Sequence, residues 1–250
     1  MAKIHLLIFL IFLGISSISV GQEIESTAPK IHVSGSASLT NNGISLIPNF
    51  SLGEPAALFN LSVAKGKISF DTDSNFSMKG KPWYILYWLR YQVVSNEKFQ
   101  MGAATHLGLN FKPSVMEINS KPKNMLTTER YWVVDLFPRY LVSKNTSFEI
   151  YYLRSIGLDP GTVGNTNFVT LNANFSRLKL YKDIYLGVNP QLYYLKQDKP
   201  DGFYFTTTFT IGKDNCPISI SSLINKEIKT AIAAGEKFVW NISIKYAFSK

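Results

Sequence analysis

The chain predicts an all-β protein: a closed antiparallel barrel of about twelve strands that spans a membrane, with ten or fourteen as the alternative counts. Three observations carry this. Residues 238–248 alternate almost without fault, with Phe238, Trp240, Ile242, Ile244, Tyr246 and Phe248 on one face and Val239, Asn241, Ser243, Lys245 and Ala247 on the other. Successive strand side chains point to opposite faces, so one face is wholly apolar, with rings at both ends and aliphatics between them. That is a hydrocarbon band bounded by interfacial aromatics. Second, aromatics make up 14% of the chain, enough to furnish two girdles. Third, the connections between alternating segments are themselves alternately short and long, as in a barrel with tight turns at one end and loops at the other.

The N-terminus reads as an export signal. Lys3 provides the positive charge, residues 4–15 the apolar region, and Ser19 and Gly21 the small residues a signal peptidase reads, placing cleavage before Gln22. The apolar run is shorter than the ~20 residues of a spanning helix. Residues 22–30 form a short polar lead-in, and residues 31–250 form one barrel domain. Cys216 is the single cysteine, so neither an intramolecular disulfide nor a cysteine metal site is expected. The formal net charge is +9, of which Lys3 supplies one. No Lys/Arg run concentrates it, and an exported chain has little use for nucleic acid.

The strands follow in order. Residues 31–39 set Ile31, Val33, Gly35, Ala37 and Leu39 against His32 and three serines. Residues 58–65 align Phe59, Leu61 and Val63. Residues 67–77 oppose Ile68, Phe70 and Phe76 to Asp71, Asp73 and Asn75. Residues 83–94 place Trp83, Ile85, Tyr87, Leu89 and Tyr91 outward and Arg90 and Gln92 inward. Residues 98–112 send Gly102, His106, Gly108 and Asn110 inward, with Thr105 alone polar on the apolar face. Residues 131–142 oppose Trp132, Val134, Leu136 and Pro138 to Tyr131, Asp135 and Arg139.

Residues 148–157 are ambiguous, with Glu149 and Arg154 on opposite faces. Residues 168–180 and 184–195 turn Asn172, Asn174, Gly187, Asn189 and Gln191 inward. Residues 203–212 do the same with Thr206 and Thr208, and the shorter segment 218–224 precedes the last strand. Lengths of ~9–11 residues or more suit tilted spanning strands. Residues 40–57, 113–128, 158–166, 196–202 and 225–236 are expected to be long loops, with weak helical periodicity near 226–234. Counting residues 44–52 as a strand would break the parity of loops and the even strand number, and Pro48 argues against it. That segment belongs in the first loop, as a short hairpin or a fold into the lumen. Pro138 and Pro190, outward within strands, should mark bulges or ladder interruptions.

At the level of pattern the mature chain resembles bacterial outer-membrane β-barrel proteins, of the type common in Bacteroidetes. Residues 238–248 look like the C-terminal signal read by the barrel assembly machinery, although Ser249 and Lys250 follow the final aromatic. The resemblance implies residence in the outer membrane of a Gram-negative bacterium, in contact with its lipids.

The expected function is a passive channel for small hydrophilic solutes, porin-like and without a cofactor. The alternative is a closed structural or surface-binding barrel. Candidate lumen or constriction residues are Arg90, His106, Asp135, Arg139, Asp71, Asp73 and Lys245. Inward charges can form a selective ring or simply neutralise one another in a filled lumen. Asp71 and Asp73 make a weak metal or acid–base signal, and a lone histidine such as His106 is more often a hydrogen-bonded lumen residue. Outer-membrane phospholipases use a His-x-Ser pair. The only such pair, His32 and Ser34, falls on the wrong face, so no catalytic residue is assigned.

Overall fold

The computed structural model describes residues 29–118, 121–233 and 236–250, so the export signal lies outside the described residues. Twelve strands run in chain order: β1 (Ile31–Thr40), β2 (Ala56–Lys65), β3 (Ile68–Ser77), β4 (Pro82–Ser95), β5 (Phe99–Ile118), β6 (Lys121–Ser143), β7 (Thr146–Gly157), β8 (Asn165–Tyr181), β9 (Ile184–Gln197), β10 (Asp201–Lys213), β11 (Ile218–Thr230) and β12 (Phe238–Ser249). Each pairs antiparallel with the next, and β12 closes onto β1 to make a barrel. Closure removes every sheet edge, as a backbone in lipid requires. The seam is in register over Ser34 with Ser249 through Thr40 with Ser243. At its start Gly35 pairs with Phe248, and the Phe248 ring lies where a Cβ on Gly35 would stand.

The two barrel ends differ. At the turn end, β2 and β3 are joined through Gly66, whose φ of 61° suits a tight hairpin, and β8 and β9 through Lys182 and Asp183. At the loop end lie residues 41–55, 158–164, 231–233 and 236–237. The outer wall carries a continuous belt of exposed apolar side chains. On β12, Phe238, Trp240, Ile242, Ile244, Tyr246 and Phe248 are 43–57% exposed to the surroundings. Thr105, the one polar residue on the apolar face of residues 99–111, turns its hydroxyl onto the Val133 carbonyl at 2.8 Å. None of the described helices is long and apolar enough to cross a membrane.

The structure departs from the sequence expectations in four places. The expected long loop at 196–202 is a tight turn at 198–200, because β9 runs to Gln197, β10 starts at Asp201, and Lys196 stays paired with Asp201. Residues 113–128 do not form an irregular loop: β5 and β6 stay paired from Phe111 with Thr128 out to Ile118 with Lys121. Neither β4 nor β7 follows them beyond Asn110 and Tyr131. The ribbon therefore projects about 25 Å past its neighbours at the usual strand rise. Alternation cannot reveal it, because both its faces are exposed and neither needs to be apolar. Similarly, β11 continues to Thr230 where a loop with weak helical periodicity was expected. Finally, Trp83 does not face outward. The β3–β4 register shifts between Asn75 and Phe76, and this bulge turns the indole into the barrel, where it is buried.

Proline acts as expected on the ladders. The β6–β7 pairing skips Phe137 and Pro138, and the β8–β9 pairing passes from Gln191 to Val188 without Pro190. Each proline lacks the N–H that a ladder bond needs.

Candidate functional site

The lumen is built from the inward residues of every strand, and it falls into two halves. Towards the loop end it is packed. Tyr131, Val133, Leu153, Phe168, Tyr193, Leu195 and Tyr204 form a buried cluster, joined by Ile232, just beyond the end of β11. Tyr193 stacks on Tyr204 with ring centroids 4.8 Å apart, and Phe168 lies 5.2 Å from Tyr193. Buried tyrosines need hydrogen-bond partners: Tyr193 donates to Asn225 Oδ1 at 3.0 Å, and Tyr204 bonds the Thr230 hydroxyl.

Residues 41–55 fold onto this cluster, which resolves the ambiguity of residues 44–52. Pro48–Phe50 form one 3₁₀ turn, and Leu46, Ile47 and Phe50 pack on the cluster. The Phe50 ring is 5.2 Å from Tyr131, Trp83 Nε1 donates to the Phe50 carbonyl at 2.6 Å, and Asn49 Nδ2 donates to Gln197 Oε1 at 2.9 Å. The backbone of Gly43 sits so close to Trp83 that a Cβ there would approach the ring to 2.9 Å. The segment is thus held at three points from opposite walls.

Towards the turn end the lumen is polar and more accessible. Arg90 donates through Nε to Asp71 Oδ2 at 2.6 Å, and Ser62 donates to Asp71 Oδ1 at 2.5 Å. Asp73 accepts from Asn60 Nδ2, and Ser36 donates to Asn60 Oδ1 at 3.1 Å. On β6 and β7, Arg139 pairs with Glu149 directly opposite it, its Nη2 at 2.6 Å, and Asn172 Nδ2 reaches the other oxygen of Glu149 at 3.2 Å. Gln191 donates to Asn189 Oδ1 at 2.6 Å. Lys245 points into this half from β12 and joins no ion pair among the described residues. Most charges here thus meet an opposite charge within the wall.

Asp135 and His106 mark the boundary between the halves. Asp135 is 3% exposed and accepts from the Tyr151 hydroxyl at 2.7 Å. His106 lies with its ring centroid 3.7 Å from that of Trp88. Arg90 also lies over the Trp88 ring, its Cζ 4.2 Å from the centroid, a cation–π distance.

The sequence candidates therefore separate. Arg90 and Asp71 come together. Asp73 stays with Asn60, and Arg139 pairs with Glu149. Asp135 pairs with neither arginine. Among the described residues no three His, Cys, Asp or Glu side chains cluster in a way that could hold a metal. His32 bonds Ser249 at 3.1 Å rather than Ser34, and Cys216 is exposed near the β10–β11 turn. Glu149, Trp88, Tyr151 and Phe50 were not singled out from sequence. Glu149 was hidden because β7 is apolar on both faces, and it emerges once Arg139 is known to sit directly across from it.

Charges outside the spanning strands also pair. Arg130, on the projecting part of β6, grips Asp159 of the 158–164 loop, with Nη2 to Oδ1 at 2.6 Å. That side-chain hydrogen bond, together with the Arg130 backbone N–H, holds the Asp159 carboxyl below the ordinary carboxylate range. At the turn end Lys213 does the same for Asp183.

No protein-family profile and no curated protein matches the chain. Among solved structures it is similar to the KdgM porin, both alone and in complex with disordered oligogalacturonate. In each case identity is 9% and the TM-score 0.53, with 87% of this chain and 99% of that chain covered. The COG4313 outer membrane channel from Pseudomonas putida F1 aligns at 10% identity and a TM-score of 0.48, covering 94% of this chain and 100% of that chain. At such identities the likeness to KdgM is one of fold. This chain has the fold of a small bacterial outer-membrane β-barrel.

Proposed function

We propose that the protein is a channel of a Gram-negative outer membrane, of the Bacteroidetes type, that passes small hydrophilic solutes and is closed at rest by residues 41–55. In this reading the loop end faces outward, both termini lie in the periplasm, and the apolar belt that includes Ile242 and Ile244 contacts lipid. The final strand serves the assembly machinery. Arg90, Asp71, Arg139, Glu149 and the side chains of Asn172, Asn189 and Gln191 line a vestibule open to the periplasm. The solute class follows from those side chains; KdgM's oligogalacturonate says nothing about the cargo here.

The observation that carries closure is the triple anchorage of one loop. Phe50 lies on Tyr131, Trp83 bonds the Phe50 carbonyl, and Asn49 bonds Gln197. A twelve-stranded barrel falls between filled eight-stranded barrels and porins with a wide aqueous channel, so what fills its mouth decides whether it conducts. The second reading, a closed barrel that binds or supports without transport, is favoured by the aromatic cluster, which remains when the loop is removed.

Conductance in planar bilayers separates the two. The wild-type protein is expected to open rarely, and a variant with residues 45–52 replaced by a short Gly/Ser linker to conduct at least tenfold more of the time. A shortened variant that folds but stays silent would reject the channel and leave the closed barrel.

A further inference from the structure

We infer that Arg154, Asn167 and Lys196 form a docking site on the outer wall for an acylated phosphomonoester, the headgroup of an outer-leaflet lipid. The three residues face away from the lumen on β7, β8 and β9. They lie directly opposite one another in register, Arg154 with Asn167 and Asn167 with Lys196. Neighbouring strands are ~4.8 Å apart, so the two cations leave the wall about 10 Å apart. Both side chains are exposed and long enough to converge on one group between them.

The rows beneath this one set its depth. Two residues along the same strands, about 7 Å towards the middle of the belt, the outward row is Tyr152, Val169 and Tyr194. Two residues further it is Ile150, Leu171 and Leu192, all exposed. Aliphatic, aromatic and charged rows thus follow in the order of hydrocarbon, interface and headgroup. An arginine on a lipid-facing wall is costly at the bilayer midplane and nearly free at the interface, which places Arg154 among headgroups. The acyl chains of a lipid held there lie along Ile150, Leu171 and Leu192.

The charged row offers donors without acceptors. Asn167 Oδ1 is taken by the Tyr152 hydroxyl at 3.0 Å, which leaves Nδ2 to donate. Neither Arg154 nor Lys196 joins an ion pair among the described residues. Arg154 makes a long contact of 3.5 Å to Asn165 Oδ1. Asp201 stands opposite Lys196 on the side away from Asn167, but it accepts from the Tyr194 hydroxyl at 2.9 Å. Two unmatched cations fit a phosphomonoester, which carries about two negative charges near neutral pH, and the guanidinium fork matches its oxygens. A phosphodiester headgroup brings less charge and is held more weakly. The site rests on the membrane residence and outward loop end proposed above, and not on conduction. Micelles have no sidedness, so neither a reversed orientation nor a silent barrel creates or hides it in the test below.

The experiment is native mass spectrometry of the purified protein in neutral detergent micelles, titrated with dipalmitoyl phosphatidic acid, dipalmitoyl phosphatidylglycerol and inorganic phosphate. Phosphatidic acid should bind saturably. Phosphatidylglycerol should bind about fivefold more weakly, the effect of one charge at a membrane surface, and inorganic phosphate not at all at the same concentration. Arg154→Gln and Lys196→Gln should each weaken phosphatidic acid about fivefold and erase its preference over phosphatidylglycerol. Lys144→Gln, an exposed lysine at the turn end, should change nothing. Undiminished binding in the Arg154→Gln/Lys196→Gln double variant, or an equal loss in Lys144→Gln, overturns the site. Equal affinity of the wild type for the two lipids overturns the phosphomonoester. Inorganic phosphate bound as tightly as phosphatidic acid overturns the lipid and leaves a free-anion site.

Discussion

The two halves of the lumen are made by the same strands and yet obey different rules. At the loop end, inward positions carry Tyr131, Leu153, Phe168, Tyr193, Leu195 and Tyr204, packed around Phe50 and Ile232. Four to eight residues further along the same strands, inward positions carry Arg139, Glu149, Asn172, Asn189 and Thr208. Strand geometry delivers both sets to the interior equally well. What differs is whether anything fills the space. In the packed half, stability rests on burial and van der Waals contact. In the open half it rests on charges neutralised within the wall, with solvent able to take part. A barrel interior is therefore no single environment, and a mutation's effect should depend on its height along the barrel.

The sharpest test is a cavity in the packed half. Phe168→Ala should cost about 3–5 kcal/mol, measured as a lower urea midpoint for loss of heat-modifiable migration. Asn174→Ala, inward at the other end, should cost about 0.5 kcal/mol or less. Equal losses would erase the distinction between the halves.

A smaller effect is expected at the arginine pair. Arg90→Met keeps much of the packing on Trp88 but leaves Asp71 with only its serine partners Ser62 and Ser69. The Arg90 and Asp71 side chains are 32% and 19% exposed, so solvent offsets part of the loss, leaving about 1–2 kcal/mol. In a conducting loop-shortened background the same change should shift the reversal potential towards cation preference. An unchanged reversal potential would show that the pair does not border the pathway.

Trp83→Phe removes one hydrogen bond from the anchored loop and should cost about 1 kcal/mol. The sensitive readout is proteolysis of residues 41–55 in the otherwise intact barrel, which should quicken several-fold. The smallest effect lies on the rim. Asp159 has its carboxyl lowered in the folded state, so its contribution is present above the ordinary carboxylate range and is lost as pH falls through the lowered value. The opening of residues 158–164, read as amide exchange relative to the intrinsic rate at each pH, should stay level from pH 8 to about pH 5 and rise only under stronger acid. Arg130→Ala should move that rise to higher pH; an unmoved profile would detach Asp159 from the loop's stability.

Much of this was legible in the residues. The lipid-side pattern of β12 needs only alternation and the chemistry of an interface, because one face meets hydrocarbon along its whole length. All twelve strands could be placed for the same reason. The limits are equally physical. Alternation is silent where both faces meet solvent, so residues 113–128, most of the projecting ribbon, read as a loop. It misleads where a bulge shifts the period, so Trp83 was placed outside. Residues 44–52 could be assigned to the loop-end connection from parity, but alternation could not decide between a hairpin and a fold into the lumen.

By itself the sequence determined a closed antiparallel barrel, its twelve strands, the direction of most side chains and the inward placement of Arg90, Asp135, Arg139, Asp71, Asp73 and His106. Those properties depend on local period and on the energy of meeting lipid or water, which act residue by residue. Only the tertiary structure decided that Arg90 meets Asp71, that Arg139 meets Glu149, and that Phe50 closes over Tyr131. Partnership between inward side chains depends on the register between neighbouring strands and on where a loop returns, and neither leaves a period to read.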